Sequence, residues 1–138
     1  GDGVLRPEIE AAISQAGLTD RFRLLGWRRD VPALMGAADV VVLSSIFEGL
    51  PRVSVQALAA RRPFVGTRVD GTPEIIRDGR NGFLVEPRDP TGLADALDRA
   101  LDERPVDPDD IARIQPWQAE EMVRAQERLY MRLIARTS

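Results

Sequence analysis

The 138-residue sequence predicts an α/β protein whose parallel sheet is wound by helices on both faces. Three observations carry this expectation. Segments patterned as strands alternate with segments patterned as helices along the chain. The run Val40-Val41-Val42-Leu43 is apolar on both faces and β-branched, as suits a strand covered on two sides. The stretch Glu48-Gly49-Leu50-Pro51-Arg52-Val53-Ser54-Val55-Gln56 then sets an acid, a tight turn and a fresh helix start at that strand's carboxyl end, where α/β sheets bind their ligands.

Ile9, Ala12 and Ile13 recur at helical spacing over residues 5–16, and Gly17 stands where a helix stops. Residues 22–25, Phe-Arg-Leu-Leu, read as a short strand, followed by the loop Gly26-Trp27-Arg28-Arg29 and a helix from Asp30, a good N-cap, to Ala37. The apolar strand spans residues 38–45. After it Gly49 permits backbone angles closed to other residues, and Pro51 suits the first turn of a helix over residues 51–61. The free N–H groups of Arg52 and Val53 would point back toward the strand, backed by roughly half a charge of helix dipole. A diphosphate fits such a place; an ordinary strand-turn-helix joint with a solvated Glu48 has the same pattern, and the loop lacks a full glycine fingerprint. Residues 63–69 are a further strand, Asp70-Gly71-Thr72-Pro73-Glu74 a turn and helix start, and a short helix ends near Gly79. Asn81-Gly82 turns into a strand over residues 83–85, and Asp89-Pro90 opens a helix over residues 91–103. The order is that of a Rossmann-like, doubly wound sheet.

Residues 105–116 are rich in Pro and Asp and read as a linker between a domain of residues 1–104 and a final helix, residues 117–138, that starts at Trp117. In that helix Met122, Ala125, Leu129 and Leu133 form an apolar stripe, and Arg124, Arg128, Arg132 and Arg136 a cationic one. The cationic stripe reads first as a solvated face partly paired with Glu120 and Glu121, and second as a surface for anionic lipid or a partner domain.

Composition removes whole chemistries. The chain has no Cys, no His and no Lys, so all 19 basic residues are Arg. Thiolate and imidazole nucleophiles, a His base and a zinc site are excluded for want of ligands, as are a Schiff base and a Gly-Lys-Ser/Thr phosphate loop. A net charge of -3 and a pI near 5.1 argue against a nucleic-acid partner. No apolar run approaches the ~18 residues of a membrane span, and the absence of Cys fits a cytoplasmic setting.

Five segments in order, Phe22-Arg23-Leu24-Leu25-Gly26-Trp27-Arg28-Arg29-Asp30-Val31, Ala38-Asp39-Val40-Val41-Val42-Leu43-Ser44-Ser45, Phe47-Glu48-Gly49-Leu50-Pro51, Gly71-Thr72-Pro73-Glu74-Ile75-Ile76 and Asp78-Gly79-Arg80-Asn81-Gly82-Phe83-Leu84-Val85, resemble the carboxyl-terminal domain of the GT-B glycosyltransferases of family four. The resemblance runs nearly end to end. It implies a retaining hexosyltransferase that moves a sugar from a nucleotide sugar, most often UDP- or GDP-linked, to a glycan or glycolipid acceptor, with no cofactor and no metal. It implies that Glu48, with Gly49 and Leu50, binds the donor sugar, that the N–H groups of Arg52 and Val53 face the diphosphate, and that position 56 binds the ribose. An acid is expected at that last position and the chain has Gln56, which can still bond a diol at a loss of ~1 kcal/mol. The Trp27-Arg28 loop resembles the family's base-binding wall, although Trp27 also suits core cover. Thr72-Pro73-Glu74 reads first as a helix cap.

Family members have two further strands ahead of Gly1, whose loop supplies cationic residues to the donor phosphates. The expected sheet therefore lacks its first two strands, and its open edges invite a partner or a second copy. Acceptor and catalytic base are expected on an amino-terminal domain, so this segment alone should bind without turning over, with Glu48 at most a support to catalysis. The family's tasks set it in the cytoplasm, with contact at the inner face of the membrane. Two other readings stand beside this one: a nucleotide-sugar epimerase of the same architecture, and a non-catalytic Rossmann-like module.

Overall fold

A computed structural model describes residues 2–114 and 119–137. The chain divides into two compact units, Gly1–Val31 and Pro32–Ser138.

In the first unit, helix α1 (Arg6–Gln15) stops at Gly17, whose φ of +68° is left-handed backbone open to glycine. Arg6 ties the helix start by ion pairs to Asp2 at 2.6 Å and Glu10 at 2.8 Å. Residues 22–25 form no strand, contrary to the sequence pattern. A strand exists only as one side of a ladder, and among the described residues this unit supplies no second side. Side chains hold the segment instead: Arg6 donates to the Leu24 carbonyl at 3.4 Å, and the Trp27 N–H donates to Asp2 at 3.0 Å. That backbone N–H, ahead of Arg6, holds the Asp2 carboxyl below the usual carboxylate range. The unit ends beside Asp30, whose carboxylate accepts two N–H groups of the Arg28 guanidinium, and helix α2 (Val31–Ala37) belongs from Pro32 onward to the second unit.

The second unit is built on three parallel strands, β1 (Val41–Leu43), β2 (Phe64–Thr67) and β3 (Gly82–Val85), side by side in that order. Val41 lies opposite Phe64, and Phe64 opposite Gly82. Helices α3 (Arg52–Ala59), α4 (Thr72–Ile75) and α5 (Pro90–Glu103) alternate with them. β2 is the heart of the core: successive side chains of a strand point to opposite faces, and both Phe64 and Val65 are fully buried. Val65 and Phe83 pack on Ala96 and Ala100 of α5. Asp89 caps α5 as its sequence predicts, accepting the Gly92 N–H at 2.8 Å. β1 is shorter than the expected residues 38–45 and is not covered on both faces, because Val42 is 42% exposed. Among the described residues β2 is the only strand beside β1, which makes β1 an edge of a three-stranded sheet.

The stretch read as a linker carries structure. Helix α6 (Asp110–Ile114) packs against α3, with Ile114 buried. Its Asp110 carboxylate, 2% exposed, accepts from Asn81 at 2.8 Å and from Arg77 at 3.3 Å, and Arg77 also binds Asp107. A final helix, α7, is described over Ala119–Thr137, and the expected start at Trp117 lies outside the described residues. Met122, Leu129 and Leu133 of its apolar stripe are each about half exposed. In the cationic stripe Arg124 pairs with Glu121 at 2.9 Å and Glu120 at 3.9 Å, the local pairing its sequence suggests. Among the described residues no helix is long and apolar enough to cross a membrane.

Candidate functional site

The loop between β1 and α3 brings Ser45, Glu48, Gly49 and Leu50 to the carboxyl end of the sheet. Glu48 is half-buried, and its Oε1 accepts the Ser45 hydroxyl at 2.7 Å. Its backbone N–H donates to Asp70 Oδ2 at 2.7 Å, across from the segment after β2. Nearby the Gly71 N–H donates to the Gly49 carbonyl at 2.9 Å, and Thr67 Oγ1 donates to the Ser45 carbonyl. Gly71 must be glycine, because a Cβ there would stand 2.6 Å from the Gly49 carbonyl oxygen and 2.8 Å from the Leu50 side chain. Among the described residues no Arg pairs with Glu48 or Asp70, so both carboxylates are free to accept from a ligand's hydroxyl groups.

Pro51 is the N-cap of α3, with extended backbone, and not its first helical residue. Its carbonyl accepts both the N–H of Ser54, at 3.1 Å, and the Ser54 hydroxyl, at 2.6 Å. Arg52 and Val53 thus open the helix with N–H groups that have no partner inside it. Their dipole end and the exposed Arg52 guanidinium make this an anion-facing place. The first N–H groups of α3 are thus the ones expected from the sequence.

Gln56 lies elsewhere on α3. It is exposed and lines a cavity of ≈ 350 Å³ with Pro32, Met35 and Gly36 of α2 and Ala59 and Ala60 of α3's end. A second cavity, of ≈ 270 Å³, opens at the carboxyl ends of all three strands, between Ser44, Ile46, Thr67 and Val85 on one side and Arg88 on the other. In the first unit, Trp27 is 69% exposed, so it is not core cover; its ring lies 5.2 Å from the Arg29 guanidinium, a cation–π contact. Arg28 is engaged by Asp30, which raises the guanidinium's pKa and lowers the carboxyl's. Thr72 does not cap α4. Gly71 takes that position, and the Thr72 hydroxyl is buried inside the helix without a partner, while Glu74 does lie in the first turn.

Sequence reasoning missed Ser45, Thr67 and Asp70. Asp70 left one trace: it stands before a glycine in a turn, and its φ of +41° belongs to that turn.

A parallel strand ending at an acid, with a helix start beside it, defines a Rossmann-like ligand-binding domain. The chain belongs to the family described as Glycosyl transferases group 1, which matches residues 1–103, and it is a carboxyl-terminal GT-B domain. It is 36% identical over 105 residues to the alpha-D-kanosaminyltransferase of Streptomyces kanamyceticus, a match covering 75% of this chain and 27% of that protein. Anabaena Alr3699/HepE in complex with UDP is 33% identical with a TM-score of 0.68, over 71% of this chain and 27% of its own. The sucrose-phosphate synthase of Thermosynechococcus elongatus, 27% identical, superimposes with a TM-score of 0.86 over 98% of this chain and 36% of its own. The chain thus spans 27% of the length of the kanosaminyltransferase it matches.

Proposed function

We propose that this chain is the donor-binding part of a retaining glycosyltransferase that transfers a hexose from a nucleotide sugar to a glycan or glycolipid acceptor. The observation that carries this reading is Glu48, held half-buried by Ser45 directly ahead of the unpartnered N–H groups of Arg52 and Val53. Glu48, Gly49 and Leu50 take the sugar, the start of α3 with Arg52 takes the diphosphate, and Gln56 takes the ribose. Trp27 and Arg28 form the wall for the base. As the glycosidic bond breaks, negative charge grows on the departing diphosphate, and preorganised dipoles aimed at it stabilise that charge without a metal.

Residues 1–104 form the nucleotide-sugar portion, residues 105–116 join it to the terminal helix of residues 117–138, and the acceptor and base belong to a domain outside this chain. Alone, the chain binds and does not turn over. The base is uracil before guanine, a choice supported by the similarity to an Anabaena protein solved in complex with UDP. Free edges of the sheet are covered by further strands or a second copy, and the reaction runs in the cytoplasm, with α7 touching the inner face of the membrane.

Calorimetric titration of the full-length protein that carries this chain with UDP-, GDP- and ADP-glucose tests the reading. One of the three binds, and Glu48→Ala weakens it about tenfold or more, the loss expected for hydrogen bonds to a charged group. Binding of none, with Glu48→Ala silent, favours the non-catalytic module.

A further inference from the structure

The loop from Ser45 to Leu50 is gripped at three points by the end of β2 and the segment that follows it. Thr67 holds the Ser45 carbonyl, Asp70 holds the Glu48 N–H, and Gly71 holds the Gly49 carbonyl. Thr67 and Gly71 are buried, and packing accounts for both. Asp70 is exposed, and its φ of +41° is left-handed backbone, a conformation in which a residue with a side chain is strained and glycine is not. Glycine would satisfy the turn; what the aspartate adds is a carboxylate on the Glu48 N–H at 2.7 Å.

We infer that Asp70 is a positioning residue for the donor sugar. Its charge-assisted hydrogen bond fixes the backbone of Glu48 from one side while the Ser45 hydroxyl fixes the Glu48 carboxylate from the other. Together they leave one orientation for Oε2, the oxygen that Ser45 does not occupy, and so preorganise it for a sugar hydroxyl. This inference rests on the reading of Glu48 as the sugar-binding acid. It assigns to Asp70 the sugar half of the donor and no part of the nucleotide half.

The test reads those halves apart. Full-length protein is titrated with UDP-glucose and with UDP alone, or with GDP-glucose and GDP where the guanine donor is the one that binds. Asp70→Gly suits the left-handed turn, so thermal stability holds or rises. Its affinity for the nucleotide sugar nonetheless falls about fivefold, with affinity for the free diphosphate unchanged. Asp70→Asn keeps an acceptor oxygen and tolerates the turn, and it binds the nucleotide sugar as the wild type does. An Asp70→Gly protein with unchanged affinity, or one weakened equally for sugar nucleotide and free diphosphate, overturns the inference. Glu48→Ala separates the two ideas: if it weakens the nucleotide sugar while Asp70→Gly does not, the positioning role alone fails, and if it too is silent, the donor-site reading fails with it.

Discussion

Residues 22–25 and strand β2 carry similar local signals, and the protein treats them in opposite ways. Phe-Arg-Leu-Leu and Phe-Val-Gly-Thr are both short, begin with Phe and stand beside Gly or Pro punctuation. β2 has a parallel neighbour on each edge and every one of its four residues is buried. The earlier segment has no ladder, and Phe22 and Leu25 are each about half exposed. What separates them is supply: a strand's backbone N–H and carbonyl groups need partners from elsewhere in the chain, and those partners decide whether an apolar tetrapeptide becomes a strand.

The sharpest way to break this comparison is to truncate the same residue type in both places. Phe64→Ala, in the fully buried position, is expected to destabilise by about 3–5 kcal/mol, while Phe22→Ala stays within about 0.5 kcal/mol, as measured by urea unfolding. Equal losses would mean that residues 22–25 are as much a core element as β2. Next in size, Asp110→Ala leaves Arg77 and Asn81 short of an acceptor in a buried place and is expected to cost about 3 kcal/mol. A loss no larger than that of an exposed residue would return the stretch over residues 105–116 to a linker. Smaller again, Asp89→Ala removes the α5 cap for about 1 kcal/mol in the same assay.

The smallest expected effect depends on pH. The Asp109 N–H, and after it the Arg77 charge, hold the Asp107 carboxyl below its usual range. A carboxyl depressed on folding adds stability above its unfolded pKa and loses it as pH falls through the folded value. The stability gap between wild type and Asp107→Asn, present at neutral pH, should therefore close below about pH 4. A gap that persists into stronger acid would show that Asp107 acts through packing rather than charge.

Much of the architecture was legible because it is written in local patterns. The alternation of strands and helices, the stop at Gly17, the Asp89 cap and the acid ahead of α3 each rest on residues within a few positions of one another. What escaped acts across long separations. Asp70 reaches Glu48 across 22 residues, and Asp110 reaches Asn81 across 29, so neither could be paired from spacing alone. Asp110 was hidden further by its company, since a run of Pro and Asp announces solvent while its carboxylate is in fact sequestered. Gln56 was read by its distance from Glu48 along the chain, and the cavity it lines beside α2 is a further contact that spacing does not show.

The anchoring of α6 also sets where this domain can be cut. The family match ends at residue 103, yet the packed body continues through Asp110 and Ile114, which close over Arg77, Asn81 and the flank of α3. A shortened version ending at Glu103 would therefore expose the side of the very helix that Arg52 and Val53 open.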